Sequence, residues 1–541
     1  MRMTLVRESR RSAILIALVV LVTLVAAAIR LPRLSQRPMH VDEAIHADKF
    51  GTLIEQGEYI YDPHEYHGPT LNYFTLISAW LSNQHTYQEI DESTLRVVPV
   101  AFGVLLVLLI IGVADGLGWP AAIAAAVLTA ISHAMVFYSR YYIQEILLVF
   151  FTFCLIACGW RYAGSRRLIW AVLAGVSIAF MHATKETFII PVAALVLSLM
   201  LTLLLNGGGA PAVFASLKKI NLRHIWLAVV AAIVVSAVLF SCGFRNPRGI
   251  WDSVATFGTY LGRGAGQATA HIHPWYYYLQ ILGWFKLEGG PLWTEGFILA
   301  LGVVGLVAAL WKRGAGNTSY GFLRFAAFYA VILTVVYSLI PYKTPWCLLG
   351  FLHAWILLAG VGVVVILRLV PRGWPRTLVA LLLVQGAAHL AWQSASGAFR
   401  YYDDHANPYV YAHAGRDVFT VVEKVDEMAD LHPDGKGMLI EVICPGADYW
   451  PLPWYLRAYT NVGYYSDVDV TTMPAPVIIG RASIEKQILS KIFAPPGQYA
   501  TFVPLFDAYT ELRPTIELSG FVMWDLKDGR LKAYAREEAS Q

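Results

Sequence analysis

Long apolar runs alternate with short polar segments over the first three quarters of the chain. Each run holds roughly 17 to 22 residues, which is enough for an α-helix to cross a hydrocarbon core about 30 Å thick. The stretches 71–82 and 275–287 are too short or too polar to span, and we predict that they lie at the membrane interface. The pattern predicts an α-helical polytopic membrane protein with about 11 transmembrane helices, give or take two. The runs are centred near residues 21, 103, 129, 152, 175, 196, 234, 303, 332, 357 and 386.

Lys and Arg gather in alternate short loops between these runs. Because cytoplasmic loops are enriched in these two residues, eleven spans place the N-terminus in the cytoplasm and the segment after residue 396 outside. A cleaved signal peptide ending near residues 25–28 is the alternative for the first run, and it would reverse this orientation. The clusters are Arg2, Arg7, Arg10 and Arg11; Arg161, Arg166 and Arg167; Lys218, Lys219 and Arg223; Lys312, Arg313 and Arg324; and Arg368, Arg372 and Arg376.

The composition changes at about residue 396. Over the whole chain 57% of the residues are hydrophobic and 14% are charged, whereas roughly a quarter are charged in a soluble domain. The net charge of +4 divides into about +11 for residues 1–396 and about −7 for residues 397–541. We therefore predict a membrane domain over 1–396 and a soluble extracytoplasmic domain over 397–541. This composition disfavours a nucleic-acid-binding protein.

Short apolar strands alternate with helical spacing in the tail. The strand-like runs are 438–443, 475–480 and 499–504, and residues 418–428 have the spacing of a helix. This order predicts a small α/β domain. The segment 450–457 is rich in aromatic residues and proline, so it either packs on the membrane domain or binds sugar.

The first outer loop, 30–92, carries an acidic group followed by a His-rich group. Asp42, Glu43 and His46 fall close to one helical face if a helix begins there. Carboxylates followed by a His/Glu cluster that includes His67 suit the activation of a hydroxyl or the binding of a metal ion. The alternative is a solvated amphipathic helix with an acidic first turn, which the helix dipole favours.

Charged residues also lie at the outer ends of later apolar runs. Arg140 and Glu145 precede one run, Lys185 and Glu186 separate two others, and Lys343 links a further pair. Ionisable groups at membrane depth are costly and usually face the bundle interior or a wet cavity. A structural salt bridge or a snorkelling cation explains any one of these segments alone. Their position on the same side of the membrane predicts one polar cavity.

The second long outer loop, 244–293, holds a glycine-rich stretch at 262–266 and then His271 and His273. The glycines do not match the phosphate-binding pattern Gly-x-x-x-x-Gly-Lys-Ser/Thr, and the chain has no such pattern, which disfavours an ATP-driven pump. The aromatic residues that follow are typical of an interfacial belt. The two histidines are candidates for binding a metal or a phosphate.

The segments described above resemble a known family in kind and in order. They are similar to segments of the protein O-mannosyltransferase and aminoarabinose-transferase group, which are membrane glycosyltransferases of the GT-C fold that take sugars from polyprenyl phosphate. The resemblance covers roughly residues 10 to 370 and rests on 42–47, 67–74, 139–145, 183–191 and 343–349. More narrowly, three segments are similar to a prokaryotic branch described as flippase-activity-associated, namely 184–187, 342–346 and 450–457.

The resemblance implies a role for the matching residues. Asp42 corresponds to the catalytic carboxylate with Glu43 beside it, and Glu145 corresponds to a second acidic position. Lys185 and Lys343 correspond to basic positions near the donor phosphate.

Four further residues complete the predicted site. We expect His46, Arg140 and Glu186 to contact substrate. The aminoarabinose-type enzymes have a Glu-Lys pair where this chain has His67 and Gly68. His67 can replace a metal ligand but Gly68 cannot replace a lysine, so a divalent cation is a candidate cofactor with His67 as its candidate ligand.

These residues predict an inverting glycosyltransferase in the plasma membrane. It would transfer a hexosyl or pentosyl unit from a polyprenyl-phosphate donor to an acceptor hydroxyl of a lipid, glycan or protein on the extracytoplasmic side. The donor phosphate is a good leaving group that needs charge neutralisation from Lys185, Lys343, Arg140 or a cation, and Asp42 is suited to accept the hydroxyl proton. Two alternatives stay open, a glycolipid transporter or flippase and a non-catalytic partner in glycan assembly.

Overall fold

The structure is a computed structural model that describes residues 2–64, 67–207, 221–262, 271–493 and 501–533, with side chains from residue 13 onward except those of 260 and 261. Lys218, Lys219, the glycine-rich stretch from 263 and the first residues of the strand predicted at 499–504 lie outside this description. The side chains of the first basic cluster also lie outside it.

Contacts between Cα atoms divide the chain into two compact units. The first unit comprises Met1–Leu34, Gln56–Asn83 and Ser93–Tyr411, and the second comprises Ser35–Glu55, Gln84–Glu92 and Ala412–Gln541. Two segments of the first outer loop therefore fold with the tail rather than with the helices that flank them in sequence.

Helices make up most of the described chain. In chain order they are α1 (Arg2–Arg30), α2 (Val41–Gln56), α3 (Thr70–Leu81), α4 (Glu92–Leu109), α5 (Ala114–Leu117), α6 (Trp119–Ile131), α7 (His133–Ser139), α8 (Glu145–Ser165), α9 (Leu168–His182), α10 (Ile189–Gly207), α11 (Leu222–Phe240), α12 (Arg248–Gly262), α13 (Tyr277–Gly283), α14 (Gly296–Trp311), α15 (Tyr320–Leu339), α16 (Leu349–Leu369), α17 (Trp374–Phe399), α18 (Asp417–Leu431), α19 (Leu452–Tyr455), α20 (Glu485–Phe493) and α21 (Trp524–Lys527).

The chain is a multi-pass membrane protein. Within the described residues, eight helical segments are long and apolar enough to cross a membrane, and the pair α6 and α7, bent by 57°, adds a ninth if it is one span. The helices α9 and α14 are apolar but shorter. Each of the eleven predicted runs falls within one of these helices, while the number of spans stays a prediction. The eight are Ala13–Arg30, Glu92–Leu117, Glu145–Ser165, Glu186–Asn206, Leu222–Phe240, Tyr320–Leu339, Pro345–Leu369 and Trp374–Phe399.

Small residues let α14 and α16 approach each other closely. Gly305 of α14 lies against the main chain of Leu358, and Gly362 of α16 lies against the main chain of Leu301. Neither position has room for a Cβ atom, which is typical of helix pairs in membranes, where close van der Waals packing replaces the hydrophobic effect.

The second unit is built around a six-stranded mixed sheet with the order β2-β1-β3-β6-β4, in which β5 also pairs with β6. The strands β2, β1 and β3 are parallel, and β6 is antiparallel to its neighbours. Apolar clusters cover both faces of the sheet. The strands are β1 (Ile440–Ile443), β2 (Val462–Tyr465), β3 (Val477–Arg481), β4 (Phe502–Pro504), β5 (Thr510–Arg513) and β6 (Ile516–Met523).

The α/β domain predicted for the tail is confirmed, with strands at each of the three predicted runs and α18 at the predicted helix. The sequence reading missed β2, β5 and β6. In the segment 450–457, Leu452 and Leu456 belong to the core of this unit, and the buried Trp454 donates a hydrogen bond to Glu92 at 2.8 Å. These three side chains therefore pack within the second unit.

A buried ion pair under the sheet gives a test of the second unit. Lys491 of α20 donates to Glu441 of β1 at 2.7 Å, and both are almost fully buried. Lys491→Met would leave the Glu441 carboxylate buried without its cation, so we expect a loss of about 3–5 kcal/mol in unfolding free energy.

The double variant Glu441→Gln/Lys491→Met should regain most of this loss, because neither charge is then left alone. Lys486→Met, on an exposed position of the same helix, is the matched control. Unfolding of the full-length protein in denaturant measures all three. Equal destabilisation by the two Lys→Met variants would contradict the assignment.

Candidate active site

The first turn of α2, which contains Asp42, is held by reciprocal hydrogen bonds. The main-chain N–H of Asp42 donates to Nδ1 of His40, and the main-chain N–H of His40 donates to Oε2 of Glu43, both at 3.0 Å. Arg37 pairs with Oε1 of Glu43 at 3.1 Å. Glu43 thus bonds the N-cap N–H as in a capping box, while the His40 side chain caps the N–H of the second helical residue instead of the third. The Asp42 side chain stays 42% exposed.

Asp42 lies beside the helical face that carries Glu43 and His46. Glu43 and His46 lie on the buried side of α2 together with Ala47 and Phe50. These positions follow the i, i+3, i+4, i+7 spacing of one stripe, and Asp42, four positions before His46, lies about 40° outside its edge. The acidic first turn favoured by the helix dipole describes this helix well. Substrate contact by Glu43 and His46 stays a prediction.

The turn between α9 and α10 directs two adjacent charges to opposite partners. Lys185 has extended backbone (φ −156°, ψ 138°), and successive side chains of an extended segment point to opposite sides. Pro191 lies in the first turn of α10, where a missing N–H breaks no intrahelical bond. Lys185 and Glu186 are both buried.

Lys185 donates to the carboxylate of Glu145, the first residue of α8. Both side chains are 7% exposed, so the pair lies where water contributes little screening. Removing two charges from water costs free energy, and this cost is offset only when the charges contact each other or another polar group. The sequence places these residues at span ends, and the structure brings them together.

A cleft opens beside this pair and continues between α8, α15 and α16. Its polar end contains Glu145, Lys185 and Thr187, and it encloses about 380 Å³ counted with its open mouth. A second recess shares Thr152 and Tyr329 with it and continues toward His353. From Glu145 to Ile156 along α8 the two together extend about 16 Å at 1.5 Å per residue. The other lining residues are mostly apolar, among them Leu148, Val149, Leu333, Leu349 and Leu357.

Glu186 binds two residues of the first outer loop. Its carboxylate accepts a hydrogen bond from the Tyr61 hydroxyl at 2.8 Å and contacts Nδ1 of His67 at 2.7 Å. Gly68 follows directly, and a Cβ there would lie 2.2 Å from the carbonyl oxygen of Ala183. The difference from the family at 67–68 thus has a steric reason, because no side chain fits where the loop meets the end of α9.

Lys343 lies in a short strand-like pairing of 271–273 with 341–343. Its ammonium donates to the carbonyl of His273 at 3.1 Å and to that of Ile340. The Tyr411 hydroxyl lies between His271 Nδ1 at 2.7 Å and His273 Nε2 at 3.0 Å. Burial lowers the pKa of Lys343 and, with the charges of His271 and Lys343, lowers the pKa of His273.

Arg140 stabilises the end of α1. Its guanidinium donates to the main-chain carbonyls of Arg30, Pro32 and Arg33 at 2.6–3.1 Å and lies over the Phe399 ring. Arg side chains often bind the last carbonyls of a helix in this way. These contacts give Arg140 a structural role, and its predicted contact with substrate has no support from this geometry.

The architecture and the family segments both have known counterparts. Residues 20–245 match the family described as dolichyl-phosphate-mannose-protein mannosyltransferase. ArnT from Cupriavidus metallidurans, solved with undecaprenyl phosphate, is similar over 93% of this chain and 97% of its own, with 14% identity and a TM-score of 0.60. The chain has the GT-C glycosyltransferase fold. No curated protein matches it.

Another GT-C structure, the oligosaccharyltransferase AglB from Archaeoglobus fulgidus with an inhibitory peptide and a dolichol-phosphate, has 12% identity and a TM-score of 0.56. The match covers 88% of this chain and 70% of that one. These findings confirm the resemblance to the protein O-mannosyltransferase and aminoarabinose-transferase group. The narrower flippase-activity-associated branch stays a prediction.

His67, the predicted metal ligand, contacts the carboxylate of Glu186 at 2.7 Å. Among the described residues, no group of three or more His, Cys, Asp or Glu side chains is placed to hold a metal ion. AglB has also been solved with Zn and sulfate, at 13% identity and a TM-score of 0.54 over 90% of this chain and 71% of that one. The described donor set therefore does not fit a metal site, and a divalent cation stays a prediction.

Several contacts at these sites were not predicted. Tyr61 and Tyr411 each contact a site residue more than a hundred positions away, and neither carries a local signal. Arg37 is an exception, because a basic residue six positions before a carboxylate and close to a helix start suggests an ion pair.

Gly68 provides a test of the loop geometry. We expect Gly68→Ala to destabilise the protein by about 1–3 kcal/mol, because the added methyl group overlaps the main chain of Ala183. The control is Gly164→Ala, where a Cβ meets nothing within 4 Å. Thermal unfolding of the detergent-solubilised protein measures both, and equal midpoints for the two variants would contradict the close approach.

Proposed function

We propose that the protein is an inverting glycosyltransferase that moves a monosaccharide from a polyprenyl-phosphate donor to an acceptor hydroxyl on the extracytoplasmic side of the membrane. The observation that carries the proposal is the buried pair of Glu145 and Lys185 at the polar end of an apolar cleft. An amphiphile with an anionic head and a hydrocarbon chain is complementary to this arrangement. The undecaprenyl phosphate bound to ArnT and the dolichol-phosphate bound to AglB belong to this chemical class.

Lys185 is the residue proposed to stabilise the leaving phosphate. As the bond between the sugar C1 and the phosphate oxygen breaks, negative charge grows on the phosphate. A fixed ammonium group in a poorly screened site stabilises that charge more strongly than it would in water. Glu145 orients Lys185 before the donor arrives.

Asp42 is the residue proposed as the general base. In one displacement the acceptor oxygen bonds to C1 while the phosphate leaves, and the hydroxyl proton passes to the carboxylate. Attack opposite the leaving group inverts the anomeric centre. The hydrogen bonds at the start of α2 use the Asp42 main-chain N–H, and the carboxylate is partly exposed to solvent.

The other predicted site residues have different roles in this proposal. Lys343 is a secondary contact for the phosphate, because its ammonium already donates to two carbonyls. Glu186 and His67 hold the outer loop, and Arg140 holds the end of α1. We keep Glu43 and His46 as positioning residues for the helix that carries Asp42.

We expect Asp42→Asn to lower transfer by at least about 100-fold with no change in thermal unfolding, because a positioned base contributes about 10²–10⁴-fold. The assay uses purified protein in nanodiscs and a radiolabelled polyprenyl-phosphate sugar. Asp507→Asn, a surface carboxylate in the second unit, is the control. Full activity of Asp42→Asn would eliminate the assignment, and lipid movement without any sugar transfer would favour a flippase.

The pair of Glu145 and Lys185 is tested by a single and a double variant. Lys185→Met should lower transfer by about 10²–10³-fold, as loss of one electrostatic donor does in other enzymes, and should also lower stability. Glu145→Gln/Lys185→Met removes both charges, so it should regain stability while transfer stays low. Recovery of transfer in the double variant would mean that the pair is structural only.

A further inference from the structure

The second unit has a feature that the proposed reaction does not use. In its parallel part, β1 lies between β2 and β3. From β1 the chain continues to β2 on one side, and β3 pairs with β1 on the opposite side, so the strand order reverses between β1 and β3. In open α/β sheets ligands bind outside the carboxyl ends of the strands at such a switch point. Charged and aromatic side chains lie at the carboxyl ends of these parallel strands, which form one edge of the sheet.

Two guanidinium groups share one carboxylate there. Asp448, in the loop after β1, accepts from Arg481 at 2.6 Å and from Arg513 at 2.5 Å. The side chains are 21–30% exposed, so solvent reaches the cluster. It carries a net charge of +1, and each guanidinium has five N–H donors, more than Asp448 can bind. The Nε atom of Arg513 has no hydrogen-bond partner among the described residues.

Aromatic rings continue the edge away from this cluster. Tyr449 follows Asp448, and its ring centroid lies 5.0 Å from that of Tyr464 in β2. Both rings are half-buried. Tyr87 and Asp48 lie close enough to Tyr464 to add to the rise in its pKa, which comes mainly from burial.

The far end of the edge is acidic. Asp48 is exposed to solvent, yet the surrounding protein raises the pKa of its carboxyl, with Lys49 opposing the shift. The Tyr87 hydroxyl is buried and has no partner among the described residues.

We propose that this edge binds a glycan containing a hexuronate, with the uronate carboxylate on Arg481 and Arg513 and the sugar rings along Tyr449 and Tyr464. Guanidinium groups bind a carboxylate through two parallel hydrogen bonds. Aromatic rings bury the apolar faces of sugars, and Asp48 accepts from sugar hydroxyls. The proposal rests on the proposed function in one respect, namely that such a glycan is the acceptor.

Direct binding tests the site without any transfer reaction. Full-length protein in phosphatidylcholine nanodiscs is titrated with methyl β-D-glucuronide and with methyl β-D-glucoside, and binding is followed by saturation-transfer NMR. We expect the glucuronide to bind at least about tenfold more tightly, which corresponds to the 1.4 kcal/mol of one hydrogen bond to a charged group. Equal binding of the two glycosides, or binding of neither, would overturn the proposal.

Variants assign the binding to the cluster. Arg513→Gln and, independently, Arg481→Gln should each reduce the preference for the glucuronide about tenfold, because each removes a charged donor. Arg530→Gln, which breaks a surface pair with Asp528, is the matched control and should bind as the unaltered protein does. Unfolding midpoints confirm that each variant is folded. If both arginine variants keep the full preference for the glucuronide over the glucoside, the assignment of binding to this cluster is wrong.

The two proposals fail separately. Loss of glucuronide binding in a protein that still transfers sugar would overturn the glycan site alone. Binding that persists in a protein with no transfer activity would overturn the transferase alone.

Discussion

A buried charge must face a partner, and the turn between α9 and α10 satisfies this requirement twice in succession. Removing an ion from water costs several kcal/mol even after the protein relaxes. Lys185 recovers this cost from Glu145 on α8, and Glu186 recovers it from Tyr61 and His67 in the outer loop. Because the backbone at Lys185 is extended, both contacts form at once. The turn thereby fixes α8, α9, α10 and the loop that begins at Gln56 in one arrangement.

Other features follow from this turn. The outer loop can reach Glu186 only if the main chain at Gly68 contacts Ala183 directly, which excludes every side chain at that position. Pro191 restarts a helix without losing a hydrogen bond. The result is a cleft with one polar end and a long apolar wall. The apolar wall excludes water, and this is what makes a single ammonium group effective on an anion.

The sequence predicted the parts of this architecture that have a local signature. Apolar runs of sufficient length located the helices, and charged residues at their ends marked Glu145, Lys185 and Lys343 as unusual. The partners were not predictable, because nothing in the local pattern joins Glu186 to Tyr61 across 125 positions or His271 to Tyr411 across 140. Arg140 is a further example. Its place at the end of an apolar run suggests a substrate contact, which stays a prediction, whereas nothing in the local pattern joins it to the three carbonyls that follow α1.

In the second unit, too, elements with a local sequence signature were predicted and those that depend on distant partners were not. The strands β1 and β3 lie in mostly apolar runs, so their sequence alone predicted them, whereas the short β2 and the antiparallel β5 and β6 depend on neighbours for their pairing. The segments 35–55 and 84–92 join this unit although they lie between membrane helices in the sequence. Trp454, which packs on Tyr87 and donates to Glu92, shows the reason. An aromatic side chain is buried wherever the folded chain forms a complementary cavity, however distant in sequence the residues that line it are.

The depth of the charges bears on whether the cleft serves chemistry or transport. Substrate sites of transporters lie near the bilayer midplane, at helices broken in the middle of their spans, so that either side can reach them. Here Glu145 is the first residue of its span, and Lys185 immediately precedes the span Glu186–Asn206. The charged end of the cleft thus lies where two spans begin, and the residues that continue inward from it are mostly apolar. A site at the surface holds an anionic headgroup where an aqueous acceptor can meet it while the lipid chain stays in the bilayer, which is the geometry that group transfer requires.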